Sequence, residues 1–349
     1  MAVPVPAAVL RVAVVLVNWN GWRECVECID SLLMQAHADF HVFVVDNDST
    51  DHSVDQLIAW CAAPRPAPDW RRHPGVDRYT DHALDVPIGV RVIDGSEQVL
   101  PPAATGCRVT LIRSGANRGF AGGCNLGISA AGVAQFDFFW MLNPDTVVDR
   151  QALVELLARA TMQPGTGIVG STLLFYDKPS VVHALGGGRI NRSNASSRHL
   201  GEGTLFKDVP PGAQVERELT FVCGASMLVS AEFIRDVGLM QDDYFLYYEE
   251  ADWAMRGRER FRLGYAPQSI VFHKSGANSS KIMPLFTAGF YYRNRLRFVG
   301  RFLPDRMKAA KRTLFVEMLR HVARGRWGLA RVVMQTLIEP PEVEALVRH

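Results

Sequence analysis

The stretch "RVAVVLVNWN", residues 11–20, constrains the fold more than any other. Residues 12–17 are six consecutive apolar residues, four of them valine. Without polar alternation, such a run describes a strand buried on both faces, as in a parallel sheet covered by helices. The pattern then recurs. A helical pattern over residues 22–35 leads to "HVFVVDNDSTD", again an apolar strand with an acidic, turn-prone tail. "RVTLIR" and "FDFFWMLNPDT" give two more strands, and "AGVAQ" and "RQALVELLARA" are assigned to helices. Strands alternating with helices, each strand ending in polar residues, predict an α/β fold with its site along the carboxyl edge of the sheet.

A chain of 349 residues has room for one large domain and an appendage. A formal net charge of +2 gives no global electrostatic basis for nucleic-acid binding. The N-terminal "MAVPVPAAVLRVAVVLVNWN" lacks the leading basic residues of an export signal and carries Arg11 inside its apolar part. No run reaches the roughly 18 apolar residues that a spanning helix needs, so a cytoplasmic location is expected. Six cysteines are scattered, and the Cys25/Cys28 spacing has no second pair to complete a metal site. They are expected to be buried thiols.

Residues 59–107 break the alternation with a run rich in Pro, Arg and Asp. A loop of this length is uncommon unless functional or disordered, and it is read as an insertion with a short hairpin or an ordered flap. Beyond residue 167, the apolar pieces "GIVGSTLLFYD" and "FVCGASMLVS" flank a Gly/Ser/Asn-rich segment, 186–203. The final part, from residue 284, has a helical pattern. Residues 301–331 carry nine Lys or Arg against Asp305 and Glu317, with apolar faces including Leu314, Phe315, Leu319 and Trp327. Two readings remain open: a basic amphipathic stretch over 301–335 lying on an anionic membrane surface, or a helical pair packed on the domain with a solvated basic face.

The residues with chemical potential cluster at strand ends. "NRGFAGGCNLG", residues 117–127, holds four glycines and two asparagines. It lacks the Gly-Lys-Ser/Thr of a phosphate-binding Walker loop, and its glycines fall as G-x-x-G-G, unlike the dinucleotide fingerprint. It is read as a nucleotide-contacting loop or a turn. Asp46 closes the second strand, placed to accept from a nucleobase or ribose. Asn143 and Asp145 stand where the fourth strand leaves the sheet, with Pro144 stiffening the turn. A carboxylate at a buried strand end calls for a cation or strong donors, so Asp145 is either a ligand of a divalent ion or a cap for the helix near Arg150. "DDYFLYYEEADWAMRGR" sets Glu249 and Glu250 beside an aromatic cluster, which disfavours the charged carboxylate and suits a general base. The alternative is an acidic helix start. Asp252 and Arg256, four apart, are expected to pair with each other. His273 follows another apolar run and is a second candidate ligand.

Together, "VVLVNWNGWRECVECIDSLLMQ", "VFVVDNDSTDHS", "NRGFAGGCNLGI", "MLNPDTVVD", "GASMLVS", "FLYYEEADWAMR" and "HKSG" occur in an order and spacing that resembles the inverting GT-A glycosyltransferases of family 2. Within that family they look like the rhamnosyltransferase-like bacterial branch, which "FYYRNRLRF" at 290–298 also resembles. The resemblance covers about residues 11–280. It implies a Rossmann-like, mostly parallel central sheet with flanking helices, followed by a C-terminal helical extension at 281–349.

The resemblance also implies roles. Residues 17–20, with Asn18 and Asn20, and Asp46 would contact the nucleoside. Asn117, Gly119, Phe120, Gly122 and Asn125 would close on the donor. Asn143-Pro144-Asp145 matches the family's Asp-x-Asp element, making Asp145 a ligand of Mg²⁺ or Mn²⁺, with His273 on the metal or diphosphate. Glu250 falls on the general-base carboxylate, with Glu249 as its competitor. The implied partners are a dTDP- or UDP-linked sugar, with dTDP-rhamnose favoured, and a bacterial glycan or lipid-linked acceptor. The rivals are a nucleotidyltransferase, which would show a basic glycine-rich loop near the N-terminus, and a non-catalytic nucleotide-sugar binder.

Overall fold

The computed structural model describes residues 10–37, 39–62, 76, 87–95, 107–274 and 284–339. The first half of the chain supplies β1 (Val12–Asn18), α1 (Trp22–Leu33), β2 (Phe40–Asp46), α2 (Ser53–Ala62), β3 (Val90–Asp94), β4 (Val109–Arg113), α3 (Gly119–Ala131), β5 (Phe138–Leu142), β6 (Thr146–Val148) and α4 (Ala152–Met162). Then come β7 (Thr166–Phe175), β8 (Lys178–Leu185), β9 (Gly187–Ile190), β10 (Ser197–His199), α5 (Gly212–Glu218), β11 (Phe221–Val222), β12 (Ser226–Ser230), α6 (Ala231–Val237), α7 (Glu249–Gly257) and β13 (Arg262–His273). Three helices finish the described chain: α8 (Leu285–Phe302), α9 (Met307–Ala323) and α10 (Trp327–Ile338).

The main sheet has ten strands in the order β3-β4-β2-β1-β5-β12-β7-β13-β6, with β8 added beside β7. The five strands from β3 to β5 run parallel to their neighbours. At β5 the direction changes, because β12 pairs with it antiparallel. The fold is the α/β arrangement expected, with its parallel character concentrated in the first half of the chain.

The opening run behaves as its composition requires. Val12, Val14 and Leu16 enter the core beneath α1, while Ala13 and Val15 enter the core beneath α3. The glycine-rich stretch is not a loop: most of it is the helix α3. Its glycines let that helix lie close to β1. A Cβ at Gly123 would come 2.6 Å from Val17 Cγ1, and one at Gly127 would come 2.5 Å from Val15 Cγ1.

Several local expectations are corrected. "AGVAQ" ends α3 instead of continuing it, because Gly132 takes φ +79° and its N–H closes on the Ile128 carbonyl. The α1 helix stops at Leu33, short of residue 35. Within the expected insertion, Val90–Asp94 is neither hairpin nor flap but the edge strand of the main sheet, parallel to β4. Most of the rest of 59–107 lies outside the described residues, as do 275–283 and the chain termini. The Gly/Ser/Asn-rich segment forms β9 and β10, which join β11 in a small antiparallel sheet. The C-terminal part is three helices, not a pair. It shares a core cluster with α7 through Tyr244, Tyr248, Ala251, Leu296, Phe298, Leu314 and Val333.

Candidate active site

Strand register brings Asp145 and His273 together. His273 is the last residue of β13 and pairs with Thr146, the first of β6, so Asp145 stands beside it. The Lys274 N–H donates to the Asp145 carbonyl at 3.0 Å. His273 Nε2 lies 3.2 Å from Asp145 Oδ1. Behind it, His273 Nδ1 is 3.1 Å from His183 Nδ1, and the His199 ring meets the His183 ring edge-on at 4.9 Å. Burial, reinforced by the other histidines, pushes His183 down to about 3 and His199 to about 4, so both are neutral at physiological pH. The neutral His183 ring meets His273 through Nδ1, and a hydrogen bond between those two atoms fixes the orientation of His273. The N-cap of α4 is Gln151, with no side-chain cap hydrogen bond, and Asp149 accepts from the Gln151 N–H at 2.8 Å just before the helix.

These groups open into a cavity of about 520 Å³. Its walls also include Phe120, Asn143, Gly224, Glu249, Glu250 and Tyr291. Glu249 and Glu250 begin α7, and the approach to that helix is strained. Phe245, Tyr247 and Tyr248 take φ of 60°, 70° and 74°, a region that aromatic residues rarely enter. The buried Asn294 of α8 holds this segment, its Nδ2 donating to the carbonyls of Tyr244 (2.6 Å), Leu246 (2.7 Å) and Tyr247 (3.1 Å). Asp252 ties the same helix down. It pairs with Arg256 at 2.8 Å, as the spacing predicted, and with Arg301 at 3.0 Å, and it accepts from the Tyr244 hydroxyl.

The two glutamates differ. Glu249 is 1% exposed, and its Oε2 has no hydrogen-bond partner among the described residues. Burial first, and Glu250 second, push it well above the usual carboxylate range. Glu250 is half-buried, and its Oε1 accepts from the Gly224 N–H at 3.1 Å. Burial raises it as well, while hydrogen bonds from the backbone of Glu250 and Gly224 oppose the rise. Glu250 is therefore the member of the pair that ionises more readily.

The β1 and β2 ends form a second polar group. Asn18 Nδ2 donates to Asp46 Oδ1 at 3.2 Å, and Asp46 Oδ2 accepts from the Ser49 N–H at 3.1 Å. Asn18 Oδ1 is buried and has no hydrogen-bond partner among the described residues. Asn20, at φ 53°, accepts from the Thr50 N–H at 2.7 Å. Asn117 Oδ1 accepts from Asn47 Nδ2 and from the Gly119 N–H, each at 3.0 Å. Gly119 needs φ +68°, and the Phe120 N–H after it donates to the Phe245 carbonyl at 2.7 Å. The start of α3 is thus bound to the strained aromatic segment.

Two expected donor residues have other work. Asn125 donates to the Met240 carbonyl at 2.8 Å and accepts from its N–H at 3.0 Å, so both ends of its amide are occupied. Gly122 sits within α3, where an added Cβ would meet the Arg118 side chain at 2.8 Å. Neither lines the cavity among the described residues. The sequence reading missed His183, His199, Asn47 and Asn294. Only the strand-end position of Asn47, directly after Asp46, was a signal open to it.

The glycosyl transferase family 2 pattern matches residues 13–72 and 91–221, more than half of the chain. The chain belongs to this family. The matched span takes in Asn18, Asp46, α3 and Asp145, and it stops before Glu249, Glu250 and His273. The low-salt glycan biosynthesis hexosyltransferase Agl10 of Haloferax volcanii is 24% identical over 192 residues. That alignment covers 53% of this chain and 58% of the relative, so the chain spans little more than half the relative's length. Among solved structures, the mannosyltransferase PcManGT of Pyrobaculum calidifontis, in complex with GDP-Man and Mn²⁺, has a TM-score of 0.54 at 15% identity, covering 99% of this chain and 80% of its own. GalNAc-T7 with UDP, GalNAc and Mn²⁺ has a TM-score of 0.58 at 13% identity, covering 96% and 58%. These two likenesses establish the GT-A fold.

Proposed function

We propose that this family 2 chain is an inverting glycosyltransferase. It moves a sugar from a nucleoside-diphosphate donor to a hydroxyl of a bacterial cell-surface glycan or lipid-linked acceptor. The motif resemblance favours dTDP-rhamnose over a UDP-linked sugar. The observation that carries the reading is that Glu250 and the Asp145–His273 pair line one cavity of about 520 Å³. That arrangement supports reading Glu250 as the base and the Asp145–His273 pair as the diphosphate-holding group, around a space large enough for the reacting sugar.

The donor set fits a divalent cation. One carboxylate oxygen and one imidazole nitrogen lie 3.2 Å apart, near the roughly 3 Å between adjacent ligands of an octahedral ion with bonds of about 2.1 Å. Asp145 would supply the carboxylate that suits Mg²⁺ or Mn²⁺ and His273 a second ligand, beside the oxygens of the donor diphosphate. The cation, Mg²⁺ or Mn²⁺, would neutralise the charge that builds on the departing diphosphate. Asn18, Asn20, Asp46 and Asn117 are assigned to the nucleoside side, and Phe120 and Asn143 to the sugar side. In the reaction, Glu250 accepts the proton of the acceptor hydroxyl as that oxygen bonds to the anomeric carbon. The bond from that carbon to the diphosphate breaks, and the nucleoside diphosphate leaves with the electron pair. A single displacement inverts the anomeric centre. Burial and Glu250 disfavour the charged form of Glu249, which limits the negative charge facing the donor.

The test is a thermal-shift panel of dTDP, UDP and GDP, each with and without Mn²⁺ or Mg²⁺. A metal-dependent rise in Tm with one diphosphate is expected, and Asp145→Ala should abolish it. No stabilisation by any diphosphate in the presence of metal overturns the reading.

We also propose that the C-terminal helices rest on the cytoplasmic face of an anionic membrane. No helix among the described residues is long and apolar enough to cross one. Phe315, Leu319, Trp327 and Ile338 are exposed, Trp327 by 67%, among the basic residues of α9 and α10. Exposed aromatic and aliphatic side chains next to Lys and Arg favour such a surface.

A further inference from the structure

Behind the small sheet lies a groove that the transfer reaction does not use. The side chains of β10 alternate: Ser197 and His199 line the catalytic cavity, whereas Arg198 lines a separate cavity of about 920 Å³. That cavity also receives Arg189, Arg192 and Arg217, with Glu218 as its one acidic lining residue. Arg189 lies 3.8 Å from Glu218, a loose and exposed pair. Among the described residues, Arg192, Arg198 and Arg217 have no carboxylate partner, and all three are exposed. Four guanidinium groups against one carboxylate leave a net charge of about +3 around one concavity, a match for phosphate oxygens.

The charged cavity runs into an apolar one. Ile190, Arg192 and Thr220 border both. The second, about 590 Å³, is floored by Met255, Phe261, Leu263, Phe298, Phe302 and Leu303, with Arg258 at its rim. Phosphate chemistry at one end and hydrocarbon chemistry at the other suit a single amphiphile. Ile190 also lines the catalytic cavity, so the groove and that cavity share a wall residue.

We infer that this groove binds the phosphate-bearing lipid portion of a lipid-linked acceptor, with its phosphate on Arg192, Arg198 and Arg217 and its hydrocarbon chain over Phe298, Phe302 and Leu303. The inference rests on the lipid-linked form of the proposed acceptor, and it assigns that acceptor's carrier to a groove outside the cavity that Glu250 lines.

The experiment uses decyl phosphate below its micelle concentration, with decanol, butyl phosphate and inorganic phosphate as comparators, and titrates the full chain by calorimetry. Decyl phosphate should bind at least roughly tenfold more tightly than each comparator, because both ends of the groove contribute. Arg198→Ala with Arg217→Ala should weaken it by roughly tenfold or more. Phe302→Ser should weaken decyl phosphate and leave inorganic phosphate unchanged. Both variants should keep the metal-dependent thermal shift with the nucleoside diphosphate, which also reports that they fold. Equal affinity for decyl and inorganic phosphate, or unchanged affinity in the arginine double variant, overturns the inference. So does a double variant that loses only phosphatidylglycerol vesicles, since the arginines would then be a membrane-surface patch. A wild-type chain that shows the nucleotide shift but ignores decyl phosphate sinks this inference and leaves the transferase reading standing.

Discussion

At the scale of single residues, adjacent carboxylates are given different tasks by unequal burial and unequal hydrogen bonding. Glu250→Gln keeps the shape but cannot take a proton, so turnover should fall by about 10²-fold or more while the donor's thermal shift persists. Unchanged turnover would move the base elsewhere. Because burial raises Glu250, the acid limb of kcat/KM should lie above the usual glutamate range. Glu249 makes a separate prediction about stability. Its folded-state pKa is raised by burial and by Glu250, so the fold binds a proton that the unfolded chain has released once pH exceeds the ordinary glutamate value. That costs stability increasingly as pH rises, and the cost disappears below the ordinary value. Glu249→Gln should therefore raise Tm at pH 7–8, with the gain shrinking as pH is lowered through the ordinary glutamate range; a gain independent of pH contradicts this. The sequence exposed both glutamates, because two acids beside aromatic side chains at a helix start are visible in a line of text. It did not separate them, because the separation depends on the Gly224 N–H, which comes from a different part of the chain.

At the scale of elements, α3 shows how a motif can be found and misread. The four glycines were legible as a place of close approach, yet the approach is largely helix against strand. Gly127→Ala should cost about 1–3 kcal/mol of stability, the usual range for overpacking, because its new methyl group would press on Val15. Chemical denaturation measures it, and a neutral outcome would mean that α3 can move away from the sheet. Among the described residues, Phe120 is the part of the motif that lines the cavity, while Asn117 and Gly119 accept from Asn47. The inner parallel strands β1, β2, β4 and β5 were legible because their apolar runs are local. The edge strand Val90–Asp94 was not, since only partial burial marks it and its neighbours are rich in Pro and Asp. The histidine chain was also hidden: 74 residues separate His199 from His273, and only the pairing of β7 with β8 and β13 places His183 against His273.

At the scale of the whole molecule, the C-terminal helices are part of the domain that carries the site. Arg301 is spent on Asp252 and Arg295 on Glu317, so deleting this part would expose a core along with any membrane face. The membrane proposal is better examined with exposed residues: Phe315→Ser with Trp327→Ser should cut binding to phosphatidylglycerol vesicles in a flotation assay without lowering Tm. Wild-type protein that never floats with such vesicles refutes it. The sheet itself carries a longer consequence. Every strand before Asn143 lies on one side of a single seam, where five residues of β5 face five of β12. The earlier side holds the proposed nucleoside contacts, and the later side holds Glu250, His273 and the arginine groove. A crossover between related genes near residue 143 would cut no strand pairing inside either half. Other bonds do bridge the seam, among them those between Asn125 and Met240 and between Phe120 and Phe245, so such an exchange would keep the strand pairing only if the partner halves matched at these contacts.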